Sequence, residues 1–275
     1  MAAPDTSTPP RELVEAWSGS AQAVLDLVRT LGDDDFSLET DLPGWTVHDI
    51  LAHLAHLECE LAGDDPVLAD EDEIPAEARG TGFRAYTERG VAARREDLPA
   101  ALIGQLDDAV SRLRVRLDGN DPAHPPTSFP RPGTSWASVL RDRVIDFWMH
   151  EQDIRRAIGR SGGWDSAGAE VTIGGFRTAL PFVVGKKVRP PAGTTIAWSV
   201  TGSSGTRSVT VEMGDDGRAR PVEVPTEQAD VALTMPVQDF VLACGGRRDP
   251  ARLAIDVAGD DNLGSAVVAA MAVTP

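Results

Sequence analysis

The sequence predicts a protein of class α plus α+β: a bundle of four or five helices over residues 1–188, then a small α+β domain with an antiparallel sheet over 189–275. Three observations carry this reading. Apolar residues recur every three or four positions before residue 188 and every second position after it, the periods of helix and strand. The charge balance shifts at the same point, from 19 basic and 32 acidic residues up to 188 (net −13) to 7 and 11 beyond it (net −4). Between the two textures lies KKVRPPAG, whose prolines mark a linker. A chain of 275 residues is long enough for two modest domains, each with its own core.

Each element has its own signal. Leu13, Val14, Trp17, Ala21, Val24, Leu25 and Val28 form one helical stripe, placing the first helix at about 11–31. The second starts at Thr46, whose hydroxyl caps the backbone while Asp49 supplies the acidic half of a capping box, and it stops near Gly63. The acidic, proline-containing stretch 64–80 reads as a solvated loop. Leu98, Leu102, Leu106, Val110, Leu113 and Leu117 stripe a third helix that ends before the turn-rich GNDPAHPP. The fourth opens with a cap at Thr134 or Ser135, carries Trp136 through Ile154 and ends at Gly159; a fifth covers about 166–184. Beyond the linker, TTIAWSVTG, RSVTVEM, ARPVEVP (after the turn GDDG) and ADVALTM read as antiparallel strands. PVQDFVLACGG reads as a short helix, LAIDVAG as a last strand and NLGSAVVAAMAV as a closing helix.

Composition narrows the function. A net charge of −17 and an isoelectric point near 4.6 repel a phosphate backbone or an anionic bilayer, which argues against a nucleic-acid or membrane partner. No apolar run approaches the roughly 20 residues of a membrane span. The opening MAAPDTSTPP lacks the basic and apolar blocks of a secretory signal, so the expected location is cytoplasmic. Two cysteines in unlike segments, Cys59 and Cys244, make no disulfide framework and are expected reduced. Neither a phosphate-cradling glycine loop nor a G-x-S-x-G elbow occurs.

The residues that could carry chemistry are acids and imidazoles. Asp146 and His150 stand four apart on the fourth helix, on one face and a turn from each other, a familiar metal-ligand spacing among the apolar neighbours Phe147, Trp148 and Met149. His53 lies in the apolar run LAHLAHL and could meet that pair across the core of an antiparallel bundle. Two imidazoles and a carboxylate would leave an open position on Zn²⁺, as catalytic sites do, although a helical histidine is often simply a satisfied core residue. Asp153 could accept the second ring N–H of His150 and orient it. His56 and Glu60 share a face and form a competing pair, read as facing the surface; His48 and His124 read as structural or exposed. Cys59 reads as a small buried hydrophobe, and Cys244 sits near Arg247 and Arg248, whose charges favour an anionic group.

The segment LPGWTVHDILAHLAHLE resembles the first metal-ligand motif of the mycothiol-dependent maleylpyruvate isomerases, a branch of the DinB-like helical metalloproteins. RVIDFWMHEQDI resembles their second motif, usually a Glu followed four residues later by His. Position by position, His53 matches the first ligand, Asp146 the acidic one and His150 the last, with Asp standing where the family has Glu. Asp is one methylene shorter, so either the helix approaches more closely or the carboxylate acts through water. The segment from ADVALTM to the end looks like the family's sterol-carrier-like C-terminal domain, so the likeness spans nearly the whole chain.

The resemblance implies a zinc ion, or another divalent metal, and mycothiol as low-molecular-weight thiol cosubstrate. It implies an isomerase or S-transferase in which the activated thiol attacks a small-molecule electrophile. An anionic electrophile such as maleylpyruvate needs cationic contacts that an overall charge of −17 does not supply, which makes Arg247, Arg248 and Arg252 candidates. Two other classes stay open: a protein whose C-terminal domain holds an apolar ligand, and a metal-independent interaction module.

Overall fold

The computed structural model describes residues 10–80, 82–119, 135–203 and 205–274. His124, the alternative cap Thr134 and most of GNDPAHPP lie outside the described residues. The chain falls into two compact units that divide between Thr172 and Ile173.

In the first unit, helix α1 (Arg11–Val28) buries Trp17, Ala21, Val24, Leu25 and Val28, the stripe read from the sequence. Helix α2 (Val47–Ala62) begins as its capping box dictates: Thr46 accepts from the Asp49 amide, Asp49 accepts from the Thr46 amide, and Gly63 closes the helix at φ 106°. Helix α4 (Pro99–Asp118) buries Leu102, Leu106, Val110, Leu113 and Leu117; its cap Leu98 is exposed, so the stripe starts one turn later than its spacing suggested. Helix α5 (Trp136–Ala157) takes Ser135 as its cap, with Ser138 N–H donating to the hydroxyl.

The sequence reading missed helix α3 (Phe83–Ala92), which has a short, weakly apolar stripe and no side-chain cap. Its consequence is large. α3 packs on α2 and closes the one face expected to meet solvent, so that every residue of α2 from Asp49 to Ala62 is buried. His56 and Glu60, read as a surface pair, are buried; the Tyr86 ring is tilted against His56 with ring centroids 5.0 Å apart, and its hydroxyl donates to Glu60 Oε2. The acidic loop after α2 is mostly exposed as expected, but folds into two 3-10 turns, Glu71–Glu73 and Ala76–Ala78, pinned by buried Ile74.

Helix α6 (Ala167–Phe182) straddles the division between the units and carries Pro181 in its last turn. Proline cannot donate there. The chain continues as a π-helical turn, Val183–Val188, which takes up KKV of the expected linker and ends on Arg189 at φ 54°.

In the second unit the described residues form a five-stranded sheet ordered β3-β2-β1-β4-β5: β1 Thr195–Gly202, β2 Gly205–Met213, β3 Ala219–Val222, β4 Val231–Pro236 and β5 Asp256–Gly259. Helices α7 (Val237–Cys244) and α8 (Asp261–Ala270) complete it. Four strand pairs exist and three are antiparallel; β1 and β4 run parallel, with Trp198 opposite Leu233. The antiparallel reading holds for three pairs and not for β1 with β4, because the chain after β3 does not turn back beside β3. It crosses through 223–230 to the free edge of β1 and arrives in β1's own direction. A period of two identifies a strand and leaves its partner open. Cys244 is fully buried, and burial pushes its thiol up, against the anionic reading.

Two glycines on neighbouring helices give opposite predictions. A Cβ at Gly90 in α3 would lie 2.1 Å from the buried His56 ring, whereas one at Gly104 in α4 meets nothing within 4 Å. Gly90→Ala is expected to lower unfolding stability by about 1–3 kcal/mol through overpacking. Gly104→Ala is expected to raise it by about 0.5–1 kcal/mol through helix propensity. Urea denaturation of both variants reads the contrast.

Candidate metal centre

Helices α2 and α5 bring His53, Asp146 and His150 together, with one ligand atom from each lying within 4.8 Å of the others. Both imidazoles are buried, at 3% and 4% exposure, while the Asp146 side chain keeps 27% of its surface, so the group opens to solvent at the carboxylate. His53 Nε2 is 3.2 Å from Asp146 Oδ2 and 3.5 Å from Oδ1; His150 Nε2 is 3.3 Å from Oδ1. Donors around a tetrahedral ion with bonds of about 2.0–2.1 Å stand roughly 3.3 Å apart, so this spacing and the two-nitrogen, one-oxygen donor set fit a divalent metal. Asp146 thus approaches both imidazoles directly despite its short side chain.

The surroundings of the three groups differ. His150 Nδ1 lies 3.1 Å from Asp153 Oδ2. Because a carboxylate only accepts, Nδ1 is the donor there, and in the neutral ring Nε2 is the nitrogen left with its lone pair toward the centre. Asp153 is fully buried, held by Arg156, which also reaches Asp41. Asp146 receives a hydrogen bond from Arg143, whose guanidinium is buried against Glu58 at 2.9 Å and lies over the Phe147 ring at 4.7 Å. Glu58 accepts in turn from Trp17 Nε1 at 2.7 Å. His53 Nδ1 is buried with no hydrogen-bond partner among the described residues. Trp45 roofs both imidazoles, at 5.1 Å from His53 and 6.1 Å from His150, and its indole N–H donates to Glu88 of α3.

These charges set the protonation. Burial opposes the charged form of His150, but Asp146 and Asp153 outweigh it and raise its pKa above 6.5. At His53 burial dominates over the Asp146 attraction and the pKa falls. Burial would lift the Asp146 carboxyl; His53, Arg143 and His150 overcome it and hold the group well below its ordinary value. His56 sits outside the cluster: neither ring nitrogen has a partner among the described residues, and burial, reinforced by Arg94, pushes it down to about 3. His48 Nε2 lies 2.8 Å from the Asp97 carbonyl in a structural contact, and burial raises Cys59 to about 11.

Residues 3–155 match the family description "Mycothiol maleylpyruvate isomerase N-terminal domain", and 170–266 match the C-terminal domain of the same family. The chain belongs to the mycothiol maleylpyruvate isomerase family. Its fold is that of a crystal structure titled mycothiol-dependent maleylpyruvate isomerase, at a TM-score of 0.52 and 17% identity over 90% of this chain and 92% of that one. A histidine-to-alanine mutant of the mycothiol-dependent maleylpyruvate isomerase gives a TM-score of 0.51 at 16% identity, over 86% and 89%. Among curated proteins, none matches.

Sequence reasoning named Asp153 but passed over Arg143, Glu58, Trp17, Trp45, Arg156 and Asp41. One signal was there: Glu58 is a charged residue inside an apolar helical run, and a buried charge requires a partner. Arg247, by contrast, lies in the second unit, where its guanidinium donates to the Gly245 carbonyl.

Protons and metal compete for His150. Its raised pKa means that metal affinity falls as pH drops through a value above 6.5, by about tenfold per unit for one displaced proton, and levels off at higher pH. The metal-free protein shows the complementary sign. His150 contributes its full stabilisation below pH 6.5 and loses it as pH rises through the raised value. Chelator competition across pH 6–9 measures the first. Asp153→Asn, which removes the orienting charge, is expected to weaken metal binding about 10–100-fold.

Proposed function

We propose that this protein is a mycothiol-dependent, metal-dependent cis–trans isomerase or S-transferase of maleylpyruvate-like electrophiles, with zinc as the ion. The observation that carries the reading is the convergence of His53 Nε2, His150 Nε2 and an Asp146 oxygen at ligand spacing. When bound, the ion supplies a Lewis acid that stabilises an external thiol as thiolate, a nucleophile that no cysteine of this chain is placed to provide. Both cysteines are buried and their thiols are held protonated by that burial.

The protein's residues do the rest. His53, Asp146 and His150 would hold the ion. Asp153 keeps the His150 proton on Nδ1, and Arg156 keeps Asp153 in place. Trp45 covers the imidazoles and restricts water on that side, so entry runs past the exposed edge of Asp146. Sulfur adds to one carbon of the cis double bond, the former double bond rotates, and sulfur leaves as the trans product forms, with no net consumption of thiol. A dianionic substrate would also need a cationic contact, for which Arg247, Arg248 and Arg252 are the candidates read from the sequence. Among the described residues, no helix is long and apolar enough to cross a membrane.

The test is direct. Protein purified without a histidine tag is expected to hold one divalent ion per chain and, with mycothiol, to convert maleylpyruvate to fumarylpyruvate, followed by absorbance. His53→Ala and His150→Ala are each expected to lose the ion and more than about 100-fold of the rate, beyond what disturbing a supporting residue costs. A wild-type protein that neither carries nor takes up metal removes this reading. If metal binds but maleylpyruvate is untouched, a panel of electrophiles scored by mycothiol consumption separates S-transfer from isomerisation.

A further inference from the structure

Three rings meet at the candidate centre. The imidazole centroids of His53 and His150 stand 5.0 Å apart with their planes at 74°, and the Trp45 indole closes a triangle at 5.1 Å from His53 and 6.1 Å from His150. All three separations lie in the range of favourable aromatic contact, about 4.5–7 Å between centroids. The two imidazoles are held differently. His150 is turned by the hydrogen bond between its Nδ1 and Asp153, which leaves Nε2 facing Asp146. The matching nitrogen of His53, Nδ1, is buried with no hydrogen-bond partner among the described residues. Ligating histidines ordinarily take their orientation from a hydrogen bond at that second nitrogen. Nor does the side chain fix its own ring plane, because the terminal torsion of histidine has broad wells.

We infer that Trp45 is the positioning residue for His53, its ring doing by contact what Asp153 does for His150 by a hydrogen bond, and that Glu88 keeps the indole in place. This rests on the metal-centre reading above and deepens it. Trp45 is anchored at both ends. Its indole N–H donates to Glu88 Oε1 at 3.1 Å, and its backbone carbonyl accepts from the Thr40 amide at 3.1 Å and hydroxyl at 2.9 Å. It also directly precedes Thr46, the cap of α2, the helix that carries His53. A flat ring fixed in this way limits how far the neighbouring imidazole turns, whereas apolar burial alone has no direction. Helix α3 contributes none of the three candidate ligands, yet through Glu88 it governs how firmly the first of them is aimed.

Nitrogen-15 NMR of histidine-labelled, metal-free, full-length protein separates this role from a general loss of structure. In the wild type His53 and His150 are each expected to give one sharp set of ring signals. In Trp45→Ala the His53 set is expected to broaden or double, while that of His150, still bonded to Asp153, stays single. Trp45→Phe keeps a flat ring and Glu88→Gln keeps an oxygen for the indole N–H, so both are expected to retain a single His53 set. Chelator competition is expected to follow the same order: Trp45→Ala weakens zinc binding about 10–100-fold, as loss of an outer support does, and the two conservative variants stay within a few-fold of the wild type. Glu88→Ala, at a half-buried position away from the ligands, covers the case in which Trp45→Ala does not fold; it too is expected to broaden His53 and not His150. Unchanged His53 signals in the alanine variants, equal disturbance of both imidazoles, or failure of Trp45→Phe to restore the single set overturns the inference. If the NMR contrast holds while the wild type takes up no zinc, the support of His53 by Trp45 stands and the metal-centre reading falls.

Discussion

Glu58, Arg143 and Asp146 form a chain of buried charge that ties α1, α2 and α5 together, beginning at the Trp17 indole and ending at the candidate ligands. Removing one member of a buried pair leaves an uncompensated charge, at a cost of about 3–5 kcal/mol, so the three helices cannot shift relative to one another without breaking it. Apolar packing alone would tolerate small slides of α2 against α5, since hydrophobic burial has no direction. The charge chain removes that freedom. His53 and the Asp146–His150 pair come from helices almost a hundred residues apart in sequence, and they hold ligand spacing because this network sets the register of the helices that carry them.

A second chain, from Asp41 through Arg156 and Asp153, reaches His150 from the opposite side. Two of the three candidate ligands therefore have supporting residues that are themselves supported, while His53 relies on its nearly complete burial and on Trp45. The price of so much buried polarity is distributed: Trp17, Trp45 and Tyr86 each turn an apolar ring inward and offer one N–H or O–H to a carboxylate, to Glu58, Glu88 and Glu60 respectively. Aromatic side chains here act as packing and as hydrogen-bond donors together.

The helix most important for closing this arrangement is the one with the weakest sequence signal. Helix α3 has ten residues, no side-chain cap and only a few buried positions, yet it supplies Glu88 to Trp45, Tyr86 to Glu60 and the glycine against which His56 packs. Short helices of this kind are stabilised by the surface they cover rather than by their own periodicity. A reading based on stripes therefore assigned His56 and Glu60 to solvent, and the presence of α3 reversed that assignment.

The sequence by itself determined what is local or periodic: the stripes of the long helices, the capping box at Thr46 and Asp49, the change from helix to strand, and the pairing of Asp146 with His150 one turn apart. Those follow from spacing along one element, where geometry is fixed by 3.6 or 2 residues per repeat. The tertiary structure alone decided what depends on contact between elements: the parallel partner of β1, the burial of His56, the reach of His53 to Asp146, and which oxygen of that carboxylate Arg143 engages. Such contacts depend on where separate elements come to rest, and that position is set by packing and buried charge across the whole unit, which no single stretch of sequence records.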